Sequence, residues 1–195
     1  MSKILVISGH PHLDRSNMNA AILESLEDKF NGDILEVRRL DELYPDFNID
    51  VATEQAALLG ADRIVLQYPM YWLSCPPLLK KWLDDVLTFG WAYGSTGTAL
   101  HGKELLLAVS VGGAGSAYGR EGAHIYTIHE FLRPMQGTSR VIGTKYAVPF
   151  LSVGALEITD EAIARRAQCR TVTNSLRRLA TDRATSGSSC ASSPV

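Results

Sequence analysis

Between Glu104 and His124 the chain passes through five apolar residues, Leu105 to Val109, and then runs into Ser110-Val111-Gly112-Gly113. From Gly112 to Gly122, five of eleven residues are Gly, with Tyr118 inside the run and His124 just beyond it. Each Gly costs about 0.5–1 kcal/mol relative to Ala inside a regular element, so this density marks a loop whose bare backbone must approach something closely. A short apolar strand emptying into such a loop is the ligand-binding end of an α/β sheet. That one stretch restricts the chain to folds that bury strands on both faces and gather their loops at one edge.

The rest of the chain supplies strands and helices at the matching spacing. Lys3–Ser8 (KILVIS) reads as a strand buried on both faces. After the loop GHPHLDRS, Met18, Ile22, Leu26 and Phe30 recur every four residues, predicting a helix over 17–30 capped by Ser16 and ended at Asn31-Gly32. Asp33–Arg38 alternates like an edge strand. LDELYPDFNID reads as a long surface connection, followed by a short helix over Val51–Leu59 and a third strand over Arg63–Gln67.

Pro76-Pro77 opens the clearest helix, with Leu78, Leu79, Trp82, Leu83, Val86 and Leu87 as its buried stripe. The segment FGWAYGSTGTALHG is expected to run over the surface. A helix near Ile125–Leu132, a final strand within Ser139–Pro149 and a helix from Asp160 to about Ala180 complete the pattern. Strand–helix alternation of this kind predicts an α/β fold: a doubly wound five-stranded parallel sheet with helices on both faces. One domain is expected over 1–182, with a Ser-rich, apolar-poor tail over 183–195 that is expected to be disordered.

A net charge of -2 offers no electrostatic case for nucleic acid or an anionic membrane surface. No apolar run reaches the roughly 20 residues that cross a bilayer, and the apolar part of MSKILVISGHPH is too short for a signal peptide. Cys75, Cys169 and Cys190 form no CxxC pair, so neither a disulfide framework nor a zinc site is supported. A cytoplasmic, reduced setting is the simplest expectation.

Three loops share one end of the expected sheet. The first, His10 to Asn19, leads into a helix N-terminus, where free N–H groups and the helix dipole favour an anion. Ser16, Asn17 and Asn19 add donors; the plainer alternative is an N-cap alone. His10 and His12, without further ligands, make a poor metal site and suit a histidine donor facing a phosphate better. The second loop, Tyr68-Pro-Met-Tyr-Trp-Leu-Ser-Cys-Pro-Pro, can lay backbone N–H groups along the edge of a planar ring while Trp72 packs on its body. Its plainer alternative is Trp72 in the core. The third is the glycine-rich loop, where Tyr118 replaces the last Gly of a dinucleotide fingerprint and the preceding strand is the fourth rather than the first. Neither a Walker A sequence nor a GxSxG elbow occurs. A planar, phosphate-bearing cofactor, a flavin, fits all three loops.

The stretches GHPH…S..N, ELYPDFNID, QYPMYWLSCPPLLKKWLDDVL, GWAYGSTGTALHGKELLLAVS and GG…Y…GAH resemble the flavodoxin-fold NAD(P)H:quinone oxidoreductases, in particular their bacterial branch. That branch includes general-stress-type quinone reductases and the ancillary flavoprotein of glutathione-gated potassium efflux systems. The resemblance implies a flavodoxin-like sheet and a homodimer, with the 89–97 excursion as a candidate contact. It implies FMN, with FAD as the alternative, and NADPH or NADH as co-substrate. It places phosphate contacts on His10, Ser16, Asn17, Met18 and Asn19, and the edge of the flavin ring on Met70, Tyr71, Trp72 and Leu73. A second flavin-contacting turn falls on Ser110, Val111, Gly112 and Gly113, and catalytic roles on Tyr118 and His124. The family often has Thr-Thr-Gly-Gly where this chain has Ser110-Val111-Gly112-Gly113, so a hydroxyl is lost at Val111. The implied reaction is ping-pong hydride transfer from NAD(P)H through flavin N5 to a quinone. The competing readings are a regulatory subunit docked on a potassium efflux transporter and a one-electron carrier of flavodoxin type, the latter disfavoured by the small net charge.

Overall fold

In the computed structural model, residues 2–30, 32–155 and 159 are described. The first strand, β1 (Ile4–Ser8), lies inside the sheet and is buried at every position. It pairs in parallel with β2 (Leu35–Arg39) on one side and β3 (Arg63–Pro69) on the other. β3 pairs in turn with β4 (Glu104–Val111), again in parallel. The outer side of β4 carries two short parallel strands, β5 (Lys145–Tyr146) against Glu104–Leu105 and β6 (Phe150–Val153) against Ala108–Val111. The order β2-β1-β3-β4 with β5 and β6 beyond it is doubly wound: the chain leaves β1 to one side and returns to the other.

The expected fifth strand is thus split. Ala147-Val148-Pro149 lies between its pieces, and Pro149 has no N–H to give to a ladder. The strand was expected within Ser139–Pro149; its first piece lies inside that span and its second just beyond it, while Ser139–Val141 close a helix, α6 (Arg133–Val141). Its signal is weak in the sequence because the helix is polar and carries Gly137. Pro134 in the first turn and Gly143 at φ +70 just past the end are the start and stop marks it does possess.

The remaining helices follow the sequence closely. α1 (Asn17–Glu27) buries Met18, Ile22, Leu23 and Leu26, and Ser16 caps it by accepting from the Asn19 amide. α2 (Leu40–Leu43) is a single turn within the long connection, and α3 (Val51–Gly60) is capped by Asp50. α4 (Pro77–Val86) buries Leu78, Leu79, Trp82, Leu83 and Val86. α5 (Ile128–Phe131) is one turn opened by a capping box between Thr127 and Glu130, three residues later than expected. The expected helix over 160–180 and the tail lie outside the described residues.

Two cores flank the sheet. Leu5, Ile7, Ile64, Leu66, Leu105 and Leu107 face α3, α4 and α6, while Ile4, Val6, Val65, Leu106 and Ala108 face α1. This strict alternation sends both sides of β1, β3 and β4 into apolar contact, as a parallel sheet requires. One polar cluster ties the first layer together. Glu54, fully buried on α3, accepts from Arg38 Nη2 at 2.6 Å, from the Tyr44 hydroxyl at 2.5 Å and from Trp82 Nε1 at 2.9 Å. A single carboxylate therefore joins β2, the segment after α2, α3 and α4.

Candidate functional site

The strand order reverses between β1 and β3, and the chain opens a cleft of ≈ 570 Å³ at the carboxyl ends of those strands. His10, His12, Arg15, Ser16, Asn17, Met70 and Ser110 are among the residues lining it. The loops after β1, β3 and β4 meet here through His10, Ser16, Met70, Tyr71, Ser110 and Gly112, whereas Trp72, Leu73, Gly113, Tyr118 and His124 are not among the residues lining the cleft.

The β1 loop leaves the strand at Gly9, where a Cβ would come within 2.8 Å of Leu79 Cβ on α4. Only Gly allows the loop to lie this close to that helix. A 3-10 turn over Leu13–Arg15 then delivers the chain to Ser16 and α1. A helix start leaves its first N–H groups without intrahelical partners. The Asn19 amide is taken by Ser16 Oγ at 3.3 Å, while those of Asn17 and Met18 have no partner among the described residues. His10 is buried, and its Nδ1 accepts from the His12 amide at 3.0 Å. The neutral ring must therefore carry its proton on Nε2, as a donor. Burial pulls the His10 pKa below its ordinary value; His12 acts in the same direction, and Asp41 and Asp14 oppose it. Arg15 is exposed at the rim, 3.7 Å from Asp14.

Not every residue assigned to phosphate offers its side chain. Met18 turns into the α1 core and accepts from the Ser152 hydroxyl at Sδ, 3.2 Å away. The Asn19 side chain is buried and wholly engaged by protein groups. For Met18 only the backbone amide remains for a ligand.

After β3, Tyr71 and Ser74 exchange two backbone hydrogen bonds, of 3.1 and 2.9 Å, around Trp72 and Leu73. Both central residues have positive φ, +45 and +63, which defines a type I′ turn built without Gly. The Met70 amide donates to Ser110 O at 2.8 Å and the Tyr71 amide closes the turn, so Trp72 and Leu73 are the positions whose N–H groups have no partner among the described residues. Trp72 is 98% exposed, which removes the core alternative for its indole. Cys75 follows as a half-buried thiol whose pKa burial pushes up, the opposite of an activated nucleophile.

After β4, Val111 points into the core and its carbonyl accepts from Ala155. The loss of a hydroxyl at this position therefore falls on a side chain directed away from the cleft. Ser110, Gly112 and Gly113 remain at the strand end, and the amides of both glycines have no partner among the described residues. A Cβ placed on Gly113 would lie 3.6 Å from the Tyr118 hydroxyl oxygen. Tyr118 stacks on His124, ring centres 4.7 Å apart and tilted by 34°, and meets the edge of Phe131 at 6.3 Å. The His124 amide donates to Ala117 O, folding the loop back so that both rings stand beside the strand end.

The sequence missed two members of this site. Arg15 had no periodic or motif signal, and Gln67 was read only as the last residue of a buried strand, although its amide proves to be bonded to Asn19 at 2.5 Å. Among the described residues no group of three or more His, Cys, Asp and Glu side chains is placed to hold a metal ion. No helix among them is long and apolar enough to cross a membrane.

Comparison with known proteins agrees with this fold. A family model described as having a flavodoxin-like fold matches residues 2–174. The chain belongs to that family. It is 50% identical over 166 residues to general stress protein 14 of Bacillus subtilis, covering 85% of this chain and 93% of the relative. It is 46% identical over 165 residues to the glutathione-regulated potassium-efflux system ancillary protein KefF of Salmonella typhimurium, covering 85% and 91%. The crystal structure of general stress protein 14 from Treponema denticola in complex with FMN superposes with a TM-score of 0.81 at 37% identity, over 92% of this chain and 98% of that one. An NADPH-quinone reductase from P. pentosaceus gives a TM-score of 0.75 at 31% identity, over 91% and 97%.

Proposed function

We propose that this flavodoxin-family member is an NAD(P)H:quinone oxidoreductase that holds FMN in the cleft at the β1–β3 switch point. The observation that carries the reading is the convergence on one cleft of the free Asn17 and Met18 amides, the Ser16 hydroxyl, the donor face of His10 and the Arg15 guanidinium. Those groups suit a phosphate dianion. When bound, FMN would supply two-electron hydride chemistry between a reduced nicotinamide and a quinone, in ping-pong order.

The chain's own residues bind and orient. The free amides of Trp72, Leu73, Gly112 and Gly113 are donors for the acceptor atoms along a ring edge, fixed in advance by the I′ turn and the end of β4. Tyr118 and His124, stacked beside Gly113, hold a proton for the oxygen of the acceptor. FMN rather than FAD is supported by the FMN complex of the Treponema protein. A homodimer in the cytoplasm is part of the reading: Phe89 is 72% exposed in the aromatic excursion, a large apolar side chain that a second copy would cover.

Purification followed by mass analysis of released cofactor, with NAD(P)H turnover against a series of quinones, tests the whole. FMN and quinone-dependent turnover are expected. Tyr118→Phe and His124→Gln should each lower turnover about 100-fold while FMN stays bound; wild-type rates in both would remove the two residues from the chemistry. The 46% identity to KefF supports a second reading, a flavoprotein docked on a potassium efflux transporter. Co-purification with such a membrane partner, with weak turnover, would favour it.

A further inference from the structure

Beneath the cleft lies a chain of buried hydrogen bonds that runs from the carboxyl ends of β1 and β3 to the residues lining it. Ser8 on β1 donates from its hydroxyl to Gln67 Oε1 on β3 at 2.8 Å. Gln67 Nε2 donates to Asn19 Oδ1 at 2.5 Å. Asn19 Nδ2 then spends both of its protons, on Ser16 Oγ at 2.8 Å and on Ser110 Oγ at 3.0 Å. Ser8, Gln67, Asn19 and Ser110 are all buried.

We infer that Gln67 and Asn19 are positioning residues: their amides form a one-way relay that turns the Ser16 and Ser110 hydroxyls into donors directed at the cleft. Ser16 Oγ already accepts two bonds, from the Asn19 amide and from Asn19 Nδ2, so its lone pairs are taken and only its proton is left to offer. Ser110 Oγ accepts from Asn19, and its own proton has no acceptor among the described residues. Both serines line the cleft. A phosphate or a sugar oxygen there meets two donors already aimed.

The direction of the relay follows from counting donors. Turning both amides over would leave Gln67 donating to Ser8, Asn19 donating once to Gln67, and both serines donating inward. One Asn19 N–H and the Ser8 proton would then be buried without partners, and each orphaned donor is expensive. The observed order satisfies both; the second Gln67 N–H has no partner among the described residues in either order and so does not decide between them. The observed order also gives Asn19 a role different from a phosphate contact, since none of its side-chain atoms is left for a ligand. For ligand binding, the inference rests on the cleft taking a phosphate-bearing flavin; the direction of the relay does not.

A mutant cycle and one spectroscopic measurement test it. Ser16→Ala and Asn19→Ala should each weaken FMN binding about 10-fold, with riboflavin, which lacks the phosphate, much less affected. Added to Ser16→Ala together with Ser110→Ala, Asn19→Ala should weaken FMN binding by no more than about a further 2-fold, because Asn19 acts through those two hydroxyls. A further loss of about 10-fold in that background would be an independent contribution and would overturn the relay. Gln67→Met, which keeps the volume and cannot touch the ligand, should weaken FMN binding in the same sense and serves if Asn19→Ala does not fold. In the wild-type protein, nuclear Overhauser contacts from the Asn19 side-chain NH2 should reach the β protons of Ser16 and Ser110. Contacts to the Gln67 side chain in their place would mean the reverse direction and refute the relay without any ligand. If the wild type takes up neither flavin while the Ser16 and Ser110 contacts are present, the cofactor reading fails and the relay stands.

Discussion

At the scale of single residues, the site depends on a few side chains whose surroundings fix what they can do. His10 is the clearest, because its Nδ1 is occupied and its ring is buried. Its folded-state pKa lies below 6.5, burial being the main cause. As pH falls through that value the unfolded chain binds a proton at His10 before the folded chain does. The unfolded state then holds more protons, so stability declines as pH falls and stops declining for this reason below the folded pKa. His10→Gln should therefore lose less stability than the wild type between about pH 7.5 and about pH 5.5, measured as the shift in urea midpoint. Equal shifts in the two proteins would show that another group carries the acid sensitivity. His10 was legible in the sequence as a candidate site residue, and the structure puts it on the cleft with Nδ1 occupied and Nε2 as its donor. Met18 and Val111 were legible only as positions, because a motif places a residue without saying which way its side chain turns.

At the scale of elements, the three loops owe their meeting to the ends of β1, β3 and β4, and each was visible as punctuation in the sequence. What could not be seen was the turn at Trp72-Leu73. A type I′ turn is normally announced by Asn-Gly, and this one uses two bulky residues at a cost of about 1–2 kcal/mol each in the left-handed region. Trp72→Asn combined with Leu73→Gly should raise the free energy of unfolding by about 1–2 kcal/mol, read from urea denaturation, and should lower quinone turnover. If stability is unchanged, the turn is not strained. The same blindness explains α6. Periodicity reads apolar stripes, and a helix whose buried side is largely Met135 and Ser139 shows almost none. The strand expected within Ser139–Pro149 is divided, one piece inside that span and one beyond it, while the parallel character of the sheet was read correctly from β1, β3 and β4.

At the scale of the whole molecule, Glu54 joins more of the fold than any other polar group described. Removing it leaves the mostly buried Arg38 side chain with only the exposed Glu36 carboxylate, 3.2 Å from Nη1, and leaves the Tyr44 hydroxyl and the Trp82 indole N–H without acceptors. Breaking one partner of a buried ion pair costs about 3–5 kcal/mol, so Glu54→Leu should lower the free energy of unfolding by that order. A loss below about 1 kcal/mol would show that its partners find water instead. The divided outer strand has a bearing on how the molecule behaves in a crowded solution. An unbroken sheet margin is a template on which other chains can add strands and grow fibrils. Here the margin is two residues, an interruption at Pro149 with Val148 81% exposed, and then four residues. A visiting strand could register against one piece only, so the interruption that spoils a tidy sequence pattern also guards this edge of the sheet against strand addition.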